Sequence, residues 1–426
     1  MRCSTVTRRD FIASGAALMA APAGVRAATR DPRSAESLDA DIRTYDKLGV
    51  HRTASVADHR TTAWLGRHMR ALGYRVTTHP FAAERFEVDR AILTVQGRAA
   101  RLAPQEPMPI ERLAVEAPLR PLADGPGGLR GAITYADFPY RRDASLANAV
   151  YADLIARAAA AGAVALIAVT RGPTGQVIIF NVPNDGRPTP LPVFLLEPRD
   201  ERLLRQSGAA RLDLVARRRA GTAYNTLAQL DRGGPRLIVS TPQSGWTHCA
   251  GERGPGVALW RALAQMVARS PRPISALFIA TSGHEAAHSG LESLLRSERA
   301  LLARPFAAWI HLGANLATYD YQRDVEPLQL LPTPNPDRGV AASAQLLPLV
   351  REAFAGVPAM PVGEARVGAA FGEARTILGA GFEPIIGLVG SGVFHHVEGD
   401  RAGVSTSGAL VQPLAGALAE LCNRLT

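Results

Sequence analysis

The sequence predicts an α/β fold: three layers, with a mainly parallel central sheet between helices, plus an inserted smaller β/α domain. Three observations carry this. Short apolar runs ("RLIVS", "ISALFIATS", "FAAWIHLGAN", "EPIIGLVG") alternate with segments of helical spacing. The runs are apolar at consecutive positions, as strands covered on both faces are. Between residues 88 and 218 the character changes: Pro and Gly become dense through 104–128, and a separate helix-to-strand run follows.

Taken in order, "ASVADHRTTAWLGRHMRALGYRVTTHPF" places Thr62, Leu65, Met69 and Leu72 at helical spacing. Gly73 then ends the helix and "YRVTTHPF" alternates like a strand. In the 88–218 block, "AILTVQGRAARL" reads as a strand and turn, and "LRGAITYADF" as a strand. "ASLANAVYADLIARAAAAGAVALIAVT" reads as a helix entering a buried strand. From 223 onward "YNTLAQLD" and "RLIVS" are strands, and "GVALWRALAQMVARS" is an amphipathic helix after Gly254-Pro255-Gly256. "LESLLRSERALL", "AASAQLLPLVREAFAG" and "GALVQPLAGALAELCNRL" complete the helices. The expected divisions are 1–27, 28–87, 88–218 and 219–426, the second and fourth forming one α/β domain around the third.

Residues 1–27 carry Arg8-Arg9, then Phe11-Ile12, an Ala-rich apolar run, and a small-x-small site at Val25-Arg26-Ala27. This resembles a twin-arginine export signal and implies a periplasmic or secreted protein. No later apolar run is long enough to span a bilayer. The net charge is +10, but one lysine, Lys47, stands among scattered arginines, and no basic face interleaves with aromatics. That argues against nucleic acid as a partner. Beyond the signal only Cys249 and Cys422 remain, which is no disulfide framework.

The chemistry gathers at strand ends. "RLIVS" runs into "TPQSGWTHCAGERGPGVA", the loop-to-helix position where open α/β sheets place their sites. "LFIATS" runs into Gly283-His284-Glu285, "WIHL" into Gly313, and the last strand leads to His395-His396-Val397-Glu398-Gly399-Asp400. In this order the loops resemble those of the zinc aminopeptidases, metallopeptidase family twenty-eight, which also contains glutaminyl cyclases. "LRGAITYADF" and "ARAAAAGAVALIAV" resemble a protease-associated (PA) domain. The architecture matches over roughly 45–426; the motifs match in part.

Carried over by position, the first zinc ligand becomes Thr241 and the Asp that orients it becomes Gln243. Neither side chain is a zinc ligand in that role. Glu252 takes the place of the bridging Asp, His284 that of the general-base Glu, and Glu285 that of the ligand Glu. Gly313 takes the place of a further Asp, with His311 two residues before it, either a substitute or a space-filling residue. His396 and Asp400 keep the family's His-x-x-x-Asp spacing.

The surviving set, Glu252, Glu285 and His396, is the carboxylate-carboxylate-His combination that holds one zinc in glutaminyl cyclases of this fold. The resemblance therefore implies a hydrolase of amide or peptide-like bonds with one zinc at Glu252, Glu285 and His396, His284 as general base, and a peptide-like or small-molecule substrate. Ser244, Trp246, Cys249, Arg253 and His395 are candidate substrate contacts. Cys249 reads as a nucleophile or as a small packed residue. Arg253 reads as a clamp for a substrate carboxylate, or as the ion-pair partner of Glu252 or Glu285 in a site without metal. Two other readings stand beside the zinc hydrolase: a metal-independent enzyme using His284, Glu285 and His396, with or without Cys249, and a non-catalytic binding protein that kept the pocket.

Overall fold

The computed structural model describes residues 30–183, 185–206 and 208–426, so the twin-arginine reading of 1–27 lies outside the described residues. At the centre four parallel strands lie in the order Ile385–Gly390, Ala308–Leu312, Arg236–Pro242 and Ser275–Thr281. Each is buried along its length or nearly so. Alternate side chains enter opposite cores: Leu237 and Val239 join Phe278 and Ile310 on one face, and Ile238 joins Leu277, Ile279 and Trp309 on the other. That two-sided burial explains the unbroken apolar runs.

Helices cover both faces. On one, Gly254–Arg269 buries Val257, Leu259, Trp260 and Leu263 and packs against helices Ala35–Lys47 and Gly408–Leu425. On the other lie Ser289–Ser297 and Gly372–Gly379, held by Leu291, Leu294 and Ile377. Each such large apolar side chain contributes roughly 1.5–3 kcal/mol by leaving water. The α/β, mainly parallel, three-layer architecture is thus as expected, with antiparallel strands toward the margins.

The 88–218 block is joined through a long ribbon. Strand Arg75–Val95 pairs antiparallel with Ala209–Leu230, from Arg75 opposite Gln229 to Val95 opposite Ala210, with one irregularity between Val88 and Arg90. Positions 87/88 and 218/219 fall inside these two strands. Beyond them, Arg112–Pro121, Ile133–Phe138, Ala165–Thr170 and Val193–Leu196 continue the sheet around separate hydrophobic clusters, with helix Ala149–Ala160 on one side.

One expected element differs. "AASAQLLPLVREAFAG" was expected to be helical throughout. Its first two residues, Ala341 and Ala342, instead end a strand, Arg338–Ala342, antiparallel to Ile385–Gly390 and parallel to Val362–Glu364. A 3-10 turn follows, and the helix proper is Leu347–Phe354, with Pro348 in its first turn. Sheet pairing overrides the helical preference of the alanines. No described helix is long and apolar enough to cross a membrane.

Candidate active site

The loops after the four parallel strands meet at one edge of the sheet and bring together the candidate residues. The loop from Gln243 to Arg253 is tightly wound. Cys249 sits at φ 53°, and a Cβ on Gly245 would lie 2.5 Å from the Cys249 sulfur. Asp400 holds this loop from below. Its carboxylate accepts from the N–H of Gly251 at 2.6 Å, from that of Glu252 at 3.0 Å, and from the Ser405 hydroxyl. The retained His-x-x-x-Asp spacing thus links His396 to an acid that positions Glu252. Burial pushes the Asp400 carboxyl up to about 6, against those donors.

Glu252 and Arg253, both with wholly buried side chains, form the centre. Arg253 Nη2 lies 2.7 Å from Glu252 Oε1, and its Nε donates to the Ser244 carbonyl at 2.9 Å. Burial alone would raise the Glu252 carboxyl, but Arg253 and the neighbouring histidines hold it well below the usual carboxylate range. Burial likewise opposes the Arg253 charge, and Glu252 more than restores it. His396, at φ 63°, places Nε2 3.3 Å from the same Glu252 oxygen. Its Nδ1 donates to the Ile179 carbonyl at 2.8 Å. His395 stacks on His396 at 3.7 Å. Its Nδ1 stands 3.8 Å from Glu252 Oε1 but already accepts from the Asn315 amide at 2.9 Å.

Glu285 does not join Glu252 and His396. One of its oxygens accepts from the Thr53 N–H and hydroxyl, both at 2.7 Å, and the other from the Ser244 hydroxyl at 2.7 Å. Ser244 is therefore a support for Glu285 and for the N–H of Gly283. His284 is 8% exposed, and its Nδ1 lies 3.2 Å from Glu373 Oε1, which also accepts from Thr281. Burial, then Arg253, keeps its imidazole neutral, well below the usual histidine range.

Among the described residues Cys249 has no histidine partner; its thiol contacts Thr247, and burial, then Glu252, pushes it well above the ordinary cysteine range. That removes the nucleophile reading in favour of the packed one. Trp246 Nε1 donates to Asn181 at 3.0 Å, and Arg52 lies over its ring. His311 bonds Ser240 at 2.9 Å inside the sheet and fills space there.

The 88–218 block reaches this edge as well. Besides the Ile179 and Asn181 contacts, Val182 N–H donates to the Glu285 carbonyl at 3.3 Å and Gly399 N–H to Gln176 Oε1 at 2.9 Å. Glu373, Thr53 and Asn315 were not singled out in the sequence. Glu373 had one faint signal: Gly372 before it and Ile377-Leu378 after it mark a short amphipathic helix.

Could zinc sit here? The ligand atoms of Glu252, His395 and His396 all lie within 4.8 Å of one another, and among the described residues both Glu252 oxygens, both Arg253 Nη atoms and His396 Nε2 have no hydrogen-bond partner, the Glu252–Arg253 contact being an ion pair. A carboxylate and two histidines is a recognised zinc set. Here, however, the His395 Nδ1 lone pair is spent on Asn315, Glu285 is spent on hydroxyls and an N–H, and a guanidinium already sits on Glu252 Oε1. Zinc does not fit this arrangement as it stands. The set expected for one ion, Glu252, Glu285 and His396, is likewise not assembled, because Thr53 and Ser244 hold Glu285 elsewhere.

No protein-family model matches the sequence, and no curated protein does. Solved structures do. A zinc aminopeptidase from Bacillus subtilis superposes with a TM-score of 0.72 at 16% identity, over 93% of this chain and 96% of that one. A peptidase M28 precursor from Shewanella amazonensis gives 0.65 at 16%, over 92% and 95%. An aminopeptidase from Aneurinibacillus gives 0.64 at 15%, over 92% and 94%. Over nearly its whole length, then, this chain has the fold of the zinc aminopeptidases and M28 peptidases.

Proposed function

We propose that the chain is an exported hydrolase of amide, peptide-like bonds, with His284 as its general base. One observation carries this: a buried imidazole with Nδ1 on Glu373 stands in the family's general-base place, held neutral by burial and by the charge of Arg253. In that role His284 Nε2 takes a proton from water as the water oxygen bonds to the substrate carbonyl carbon. The carbon–nitrogen bond then breaks, and His284 returns the proton to the leaving amine. The two Arg253 Nη atoms, without a hydrogen-bond partner among the described residues, are the donors for the developing negative oxygen. Glu373 fixes the tautomer and orientation of His284.

Substrate would enter beside Gly372, where a Cβ would lie 3.7 Å from His284 Cε1. The exposed Val367 and Phe371 on the adjoining loop favour an apolar substrate side chain. The same reading takes 88–218 as a PA-like domain that covers the site through Gln176–Val182, and 1–27 as the twin-arginine signal.

The test is hydrolysis of a panel of aminoacyl-4-nitroanilides by the mature chain. Turnover is expected, with His284→Ala lowering kcat by about 10²–10⁴. No turnover, or a His284→Ala chain as active as wild type, would sink the reading. The Glu252 carboxylate tied up in an ion pair with Arg253 favours a second reading, a non-catalytic binding protein, under which the same compounds bind by calorimetry without being cleaved. Replacing Arg8 and Arg9 by Lys should leave precursor in the cytoplasm.

A further inference from the structure

We infer that the Arg253 guanidinium stands where this fold would hold its metal, and that Arg253 is what keeps zinc out. This goes beyond the hydrolase reading and stands or falls separately from it. Four observations converge. Arg253 follows directly on Glu252, the residue in the bridging-carboxylate place, and its Nη2 lies 2.7 Å from Glu252 Oε1 with both side chains wholly buried. Zinc–oxygen bonds are about 2.0–2.2 Å. An ion on that oxygen would therefore lie within about 5 Å of the guanidinium nitrogen, two like charges placed where both side chains are wholly buried.

The lost ligand places are closed as well as empty. A Cβ on Gly313 would meet the Leu388 carbonyl at 2.6 Å, so no ligand side chain fits there. The Thr241 hydroxyl donates to the Leu312 carbonyl at 2.9 Å, and a Cβ on Gly256 would press it at 2.7 Å. Glu285, the remaining family ligand, has both oxygens engaged by Thr53 and Ser244. Finally, Glu252 Oε1 is a wholly buried carboxylate oxygen that needs a positive charge beside it, and the guanidinium at 2.7 Å is in place to supply it. The packing has closed around an arginine rather than around an ion.

The experiment is zinc analysis of the full mature chain, purified from cells grown with zinc, by mass spectrometry and by calorimetric titration with zinc chloride. Wild type should carry no stoichiometric zinc and show no saturable binding. Arg253→Ala leaves Glu252 and His396 without their cation; zinc can then displace the Asn315 amide from His395, and the chain should gain about one zinc. Arg253→Lys keeps a positive charge and should stay zinc-free. Wild type carrying a zinc that Glu252→Ala or His396→Ala removes would overturn the inference. So would an Arg253→Ala chain that is folded by circular dichroism yet takes no zinc. If Arg253→Ala fails to fold, the wild-type and Arg253→Lys measurements still decide whether a cation at 253 coexists with zinc.

Discussion

Glu252 and Glu285 are the same residue type, both buried, both in ligand places of one motif set, on loops that follow adjacent parallel strands. They meet opposite company. Glu252 faces a guanidinium at 2.7 Å and two histidines. Glu285 faces two hydroxyls and a backbone N–H, each at 2.7 Å. A full counter-charge compensates one carboxylate and neutral dipoles compensate the other. The lesson is that a motif fixes where a carboxylate sits, while its immediate partners fix what it can do. A ligand place becomes a pillar when hydroxyls saturate it, and an ion-pair site when an arginine lies next to it.

The largest effect expected from breaking this contrast is on the Glu252 side. Arg253→Met leaves a buried, unpaired charge and should cost about 3–5 kcal/mol of unfolding free energy, read by urea denaturation. The double variant Glu252→Gln with Arg253→Met should recover most of that, since removing both charges spares the desolvation cost. A loss below about 1 kcal/mol in the single variant would mean that the pair is already solvated.

Glu285→Gln should be milder, about 1–3 kcal/mol, because the amide keeps one acceptor oxygen while its NH₂ faces donors. An equal or larger loss than for Arg253→Met would reverse the contrast.

Acidification sharpens it further. Burial holds His51 and His288 at about 3 and His68 and His311 at about 4, and keeps His284 and His395 well below the ordinary range. Their stabilising contribution is full above about 6.5 and is lost as pH falls toward those values. Burial raises Asp41, Asp58 and Asp400 to about 6, and their contribution runs the other way, present below about 4 and lost as pH rises through 6. The histidines outnumber the aspartates, so the thermal midpoint should fall between pH 6.5 and 4. A midpoint that rises on acidification would contradict these assignments.

The smallest effect belongs to Cys249→Ala. It should leave any hydrolysis unchanged and cost about 1 kcal/mol, the loss of one buried sulfur. Maleimide should not label Cys249 in the native chain.

The fold was largely legible because it rests on hydrophobic period: apolar runs at 236–242, 275–281, 308–312 and 385–390 are strands, and Gly254–Arg269 is the helix its pattern foretold. The strand Arg338–Ala342 was hidden because short alanine-rich segments take their conformation from a sheet partner. In the site, motif spacing located Glu252, His284, Glu285 and His396 at one sheet edge. It could not reveal Thr53, which comes from 232 residues away to hold Glu285, or Glu373, which comes from 89 residues away to meet His284. Such partners are long-range contacts that no local pattern encodes. Arg253 was visible as the neighbour of Glu252, but whether it turned toward that carboxylate depended on packing.

The most direct test of the central claim is a crystal structure of the wild-type chain grown with zinc, with anomalous data at the zinc absorption edge. The account predicts guanidinium density on Glu252 Oε1 and no anomalous peak beside Glu252 and His396. An anomalous peak there, with Arg253 turned away from Glu252, would contradict it.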